Sequence, residues 1–293
     1  MHPQLEGENG LEVVGCSPTL CVGCPSEIQS PDSESGYEKA PHVSLEKTEA
    51  LVIRLADWSE SSKVVTLFSN NMGKLAAVAK GAKRLKSAFE SALDLLTICN
   101  IVLIRKSSGG LDILTEAKLQ KRFTARPGSL ESLYAGYYLA ELLDSLTELD
   151  DPHPDLYVEA LKSLDRFAGH GPLELAVLRW ELVLLEEIGQ LPMLEGCADC
   201  GRQVAPDVWF DFSVGQGGLI CPDCHPEADH ARRIQPGTLA ILNQLLTGQE
   251  AAWQRLVVSA PQQRELRRIM TPTICHVLGK RPKMLGYLKF MNP

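Results

Sequence analysis

EALVIRLADWSESSKVVTLFSNNMGKLAAVAKG (Glu49–Gly81) holds three runs rich in β-branched and apolar residues, broken by SESS and NNMG. Runs of that length between turn-forming clusters predict strands joined by hairpins. Two more follow, LTICNIVLIRK (96–106) and LDILTEAKLQKRF (111–123), parted by SSGG. Five strands in about eighty residues, with a longer insert between the third and fourth, suit a small closed barrel, most commonly an OB-fold. Upstream, residues 1–45 are rich in Pro, Ser, Gly and Glu without a sustained period, and read as a disordered extension. Because a valine codon such as that of Val43 can serve as a translation start, this stretch is expected to be a mis-assigned start or a dispensable tail.

Past Arg126-Pro127 the period becomes helical. Leu130, Leu133, Tyr134, Tyr137, Tyr138, Leu142 and Leu146 recur at threes and fours, with Ser129 placed to cap the start. Pro154 and Pro172 open two further helices, and PGTLAILNQLLTG and PQQRELRRIMTPTICHVLG supply two more. The expected fold class is therefore α+β multidomain. It comprises a five-stranded OB-fold β-barrel over 46–125 and an α-helical domain over 126–293 that carries a four-cysteine zinc ribbon at 197–224.

The ribbon is read from CADC at Cys197–Cys200 and CPDC at Cys221–Cys224. Two sulfurs three positions apart on a tight turn can face one ion, and two such turns give the four thiolates of a structural zinc site. Gly201 allows the sharp turn, VWFDF alternates as a strand, and SVGQGG supplies the next turn. Disulfides, redox thiols and free thiols are the alternatives. No signal peptide is evident, which disfavours disulfides. The HPE at His225–Glu227 follows the cysteines, so the order of a zinc deaminase is not met. Four sulfurs leave no position for a reactive water, so one structural Zn2+ per chain is expected. Cys16, Cys21 and Cys24 read as free thiols of the extension, or as half a metal site. Cys99 and Cys275 lie on apolar patterns and read as core thiols.

The net charge of −8 is unevenly placed: −6 over residues 1–45, +5 over 46–125 and −7 over 126–293. A basic segment in an acidic chain marks a local anionic partner. Its centre is AKGAKRLKS, where Lys80, Lys83, Arg84 and Lys86 leave the third strand. Cations there can neutralise phosphates without reading bases. Trp58 and Phe89 flank this region and fit either a base-stacking platform or the core. Motifs for phosphate-loop, zinc-protease, hydrolase and dinucleotide chemistry are missing, the seven histidines are scattered, and Glu186 and Glu187 read as ordinary helix residues. No apolar run is long enough to cross a membrane.

The order of parts resembles the RecO family of bacterial recombination mediators. The resemblance is carried by the VTLF strand, the G-K hairpin, the AKGAKRLKS stretch, SLYAGYYLAELLDSL, the four cysteines and the closing LGKRPKMLGYL. It covers roughly Glu46 to Met291, with the extension outside the usual pattern. It implies a non-enzymatic protein of the bacterial cytoplasm and nucleoid. That protein would bind single- and double-stranded DNA, anneal complementary strands and, with RecR, assist loading of RecA onto DNA covered by single-strand-binding protein. The family's DNA contact maps onto Lys80, Lys83, Arg84 and Lys86. The helical domain is expected to hold the acidic tail of single-strand-binding protein. Arg264, Arg267 and Arg268 on one helix face, with Lys280, Arg281 and Lys283 beyond it, could hold that tail, extend the DNA path, or be plain exposed charge. A general single-stranded RNA-binding protein is the rival reading, and a thiol-redox or metal-dependent enzyme is a third.

Overall fold

The strand alternation and the helical periods are both realised in a computed structural model. It describes residues 44–293 apart from 85–86, 88, 90–91, 107–109, 205–208, 225–231 and 292–293. Cys16, Cys21, Cys24 and Lys86 thus lie outside the described residues. The first five strands are β1 (Ser44–Asp57), β2 (Lys63–Ser69), β3 (Gly73–Ala79), β4 (Thr97–Arg105) and β5 (Asp112–Arg122). β1 is long enough to serve two partners: its first half pairs with β4 and its second with β2, with an irregularity between Val52 and Arg54. Alternation sends Val65, Leu67, Leu75, Ala77, Ile101, Leu103 and Leu114 to one interior.

The expectation of a self-contained OB-fold β-barrel needs correction. Four of the strand joins are antiparallel ladders, but β3 meets β5 only through a parallel seam, Ala77–Ala79 against Asp112–Leu114. The strand circuit β1-β2-β3-β5-β4 is completed through that seam alone. It is a curved sheet stitched at one short seam rather than an evenly closed, self-contained barrel. The reason lies in its second apolar face. Leu51, Ile53, Phe68, Leu96 and Ile98 turn away from the strand interior and join the core of the helices. A free-standing barrel would expose them, so the helices complete the sheet, and all the described residues belong to one compact unit.

The helices are α1 (Leu130–Leu146), α2 (Pro154–Ala168), α3 (Leu173–Glu187), α4 (Pro236–Thr247), the short α5 (Glu250–Trp253) and α6 (Ala260–Leu278). Ser129 caps α1 by accepting from the Ser132 N–H at 3.2 Å. Lys74 of β3 reaches the other end of α1 and donates to the carbonyls of Asp144 (2.8 Å) and Thr147. A cation there satisfies orphan carbonyls and the negative end of the helix dipole, which fixes α1 against the sheet. Between α3 and α4 lies a second sheet in the order β6-β8-β7-β9. Its strands are β6 (Met193–Cys197), β7 (Phe210–Ser213), β8 (Gly218–Ile220) and β9 (Arg232–Ile234). The module around the cysteines therefore extends on both sides of the expected 197–224.

Candidate metal centre and cationic surfaces

Cys197 ends β6 and Cys221 follows β8, so the parallel contact between those strands brings the two cysteine pairs together. Each pair sits on a tight turn: the Gly201 N–H donates to the Cys197 carbonyl at 2.9 Å, and the Cys224 N–H to that of Cys221 at 3.1 Å. Gly201 has φ +73°, the left-handed conformation the first turn requires. All four Sγ atoms lie within 4.8 Å of one another, with Cys200 and Cys221 3.7 Å apart. Tetrahedral zinc with Zn–S near 2.3 Å would separate its sulfurs by about 3.8 Å, so the cluster has the size of such a site. Cys197 and Cys221 are buried and Cys200 is exposed, which anchors the set on its protein side.

The thiols are also prepared for a cation. Burial works to raise the Cys197 thiol, but N–H groups of Cys200, Cys221 and Asp199 outweigh it and bring it down to about 6. Cys224 is driven up, first by its side-chain contact with Cys200. Four crowded sulfurs cannot all ionise without a positive ion among them, and binding a metal supplies it. No other group of potential metal ligands occurs among the described residues. Cys99 is fully buried inside the strand interior and Cys275 half-buried, both raised chiefly by burial.

The basic segment forms a turn held against the β1–β2 loop. The Lys83 N–H donates to the Ser61 carbonyl at 3.0 Å, and its Nζ donates to the Ser59 carbonyl at 3.1 Å and meets Asp57 at 2.8 Å. Trp58 lies in that loop and is 64% exposed. Residues more than twenty positions apart thus form one surface of Trp58, Lys80, Lys83 and Arg84, with Lys80 and Arg84 exposed. For Phe89 the core alternative holds and the stacking one does not: at 5% exposure it fills the strand interior and cannot meet a base.

Arg267 requires a second correction. It is 1% exposed and turned inward, donating to the Glu181 carboxylate at 2.8 Å. Arg264 and Arg268, one turn apart, stay at the surface, as do Lys280, Arg281 and Lys283 beyond α6. Two side chains were not foreseen: Arg233 of β9, which lines a pocket with Arg264 and Arg268, and Trp209, whose ring lies under the Arg233 guanidinium. The signal was present in the period-two pattern of VWFDF. With Phe210 and Phe212 directed inward, Trp209 must face out.

Fold and site define a class: a sheet-and-helix protein with a four-thiol cluster able to hold a metal ion, and solvent-facing tryptophans beside its cationic surfaces. Comparison with known proteins narrows it. The family model "Recombination protein O N terminal" matches residues 43–123, and "Recombination protein O C terminal" matches 127–285. The chain is 34% identical over 262 residues to DNA repair protein RecO of Rhodopirellula baltica, covering 82% of this chain and 97% of that one. It is 31% identical over 247 residues to DNA repair protein RecO of Anaeromyxobacter sp. strain K, covering 84% and 97%. The chain belongs to the RecO family, whose members are non-catalytic mediators of recombinational DNA repair. No helix among the described residues is long and apolar enough to cross a membrane.

Proposed function

We propose that the protein binds single- and double-stranded DNA through the surface of Trp58, Lys80, Lys83 and Arg84, with Lys86 beside it in sequence. The observation that carries this reading is the exposed indole of Trp58 held beside Lys83, with Lys80 and Arg84 free of ion-pair partners among the described residues. A base can stack on the ring while the cations neutralise the adjoining phosphates. So placed, the protein anneals complementary strands. With RecR it assists loading of RecA onto DNA covered by single-strand-binding protein, whose acidic tail meets the helical part. It does so in the bacterial cytoplasm, at the nucleoid. One Zn2+ per chain, held by Cys197, Cys200, Cys221 and Cys224, fixes the second sheet and takes no part in a reaction. Strand annealing with and without single-strand-binding protein tests the DNA and partner roles together. Annealing that ignores the protein at every salt concentration, or RNA that competes as well as DNA, would reject the reading.

A further inference from the structure

Of the four tryptophans, Trp180 and Trp253 are fully buried and accounted for by the core. Trp58 and Trp209 are 64% and 45% exposed. An exposed indole presents a flat apolar face on which another ring can stack. Trp58 has been placed at the DNA surface, while Trp209 lies on the other sheet, in no site so far described. The guanidinium of Arg233 stands over its ring, 5.9 Å from the centroid.

Arg233 also lines a pocket of about 360 Å³ with Gln235, Arg264, Glu265 and Arg268. Glu265 is already engaged, accepting from the Gln235 N–H at 2.9 Å and from the Thr238 hydroxyl. Arg233, Arg264 and Arg268 have no ion-pair partner among the described residues. Arg166, Arg179, Arg202 and Arg267 all do. Like charges one helical turn apart repel, and here a third is added from a strand, in a chain of net charge −8. Guanidinium groups converging on a polar pocket match the oxygens of a phosphate.

We propose that this pocket, with Trp209, is a second contact for single-stranded nucleic acid: a phosphate held by Arg233, Arg264 and Arg268, and a neighbouring base stacked on the indole. The adjoining exposed ring favours a nucleotide over an acidic peptide, because it gives a base a face to cover. The inference rests on the DNA-binding reading above but uses a different part of the molecule. One chain then holds two segments of strand at once, which is what annealing requires.

The experiment measures binding of a fluorescein-labelled oligothymidylate of about thirty nucleotides to the full-length, metal-loaded protein across a salt series. R264E/R268E is expected to weaken binding about ten-fold at moderate salt and to reduce the log-log slope by about 1.4, two contacts at about 0.7 each. R264K/R268K keeps the charge and should recover most of the affinity. Trp209→Phe should lose part of the indole quenching that accompanies binding. Unchanged melting temperatures certify the fold. If R264E/R268E binds like the parent while K80E/R84E is weakened, the second contact is rejected and the first stands. If neither variant is weakened, the DNA reading fails and this inference with it. Loss of affinity for a short aspartate-rich peptide, with DNA binding intact, would make the pocket a peptide site and overturn the proposal.

Discussion

Lys83 Nζ lies 2.8 Å from the carboxylate of Asp57, so one cation of the basic turn is partly neutralised at the point where a strand would lie. The pair is exposed, and Lys83 holds Asp57 below the usual carboxylate range, first through their hydrogen bond. Its role is to join the Trp58 loop to the basic turn, at the cost of some attraction for phosphate. Asp57→Asn should release that charge. We expect tighter binding to single strands and a log-log salt slope steeper by up to about 0.7. Unchanged affinity in a salt titration would show that Lys83 serves only as a strut.

Beneath the surface, Glu181 accepts from both Arg267 and Tyr138 at 2.8 Å, joining α1, α3 and α6 through groups at most 1% exposed. Removing one partner strands the other charge in the core. Arg267→Met should lower stability by about 3–5 kcal/mol, whereas pairing it with Glu181→Leu should restore much of the loss. Denaturant unfolding of the two variants checks this. Equal destabilisation by the single and double changes would mean that packing, rather than the charge pair, sets the cost.

A different ion pair governs the acid limb. Arg166 meets both oxygens of Glu250, at 3.0 and 3.1 Å, and stacks over Trp253. The hydrogen bond from Arg166 is the leading reason that the Glu250 carboxyl lies below its ordinary value. A carboxyl with a depressed folded-state pKa adds stability that is fully present above about pH 4.5 and lost as pH falls through the folded value. Glu250→Gln should therefore lower the melting temperature at neutral pH, by a difference that shrinks as pH falls below about 4.5 and through the folded value. A difference that stays constant across that range would refute the assignment.

How much of this was legible depends on what set each feature. The five strands, the capped helix at Ser129 and the four thiols are local patterns, and each could be read in one window of sequence. The inward turn of Arg267 could not, because its partner Glu181 lies 86 residues away and charge alone suggested an exposed face. Phe89 stayed open between stacking platform and core for a similar reason: it follows a basic run but fills a space enclosed by strands from both sides of the sequence. The sheet's dependence on the helices was also hidden. The strand pattern identifies Leu51, Ile53 and Phe68 as apolar but does not say that the element covering them begins past residue 126.

Gly136 marks how closely that cover fits. A Cβ added there would stand 2.7 Å from Leu96 Cδ1 and 2.9 Å from a carbon of the Phe123 ring. Leu96 is held at φ +62°, so its backbone has little freedom to yield. Gly136→Ala would gain about 1 kcal/mol of helix propensity but should lose more, about 1–3 kcal/mol, to overpacking. Net destabilisation by thermal unfolding is the expected result, relieved when Leu96→Ala is added. A more stable single variant would show that the sheet and α1 have slack between them.

The metal centre makes the last prediction, and it separates the two surfaces. The thiol set joins β6 to β8 and, through them, orders the sheet that carries Trp209 and Arg233. The Trp58 surface is built on β1, β2 and the turn after β3, whose hydrogen bonds involve none of the four clustered cysteines. Cys197→Ser or Cys221→Ser should abolish stoichiometric zinc by elemental analysis and disorder the second sheet, since binding and folding are one equilibrium at such sites. The indole of Trp209 would then report solvent in its emission, while Trp58 would not change. Binding to single strands should fall to the level of R264E/R268E and go no lower, because the contact at Lys80 and Arg84 survives. Should loss of zinc instead abolish all DNA binding in a protein whose first sheet remains folded, the Trp58 surface could not be an independent contact. The thiol module would then carry the whole DNA path.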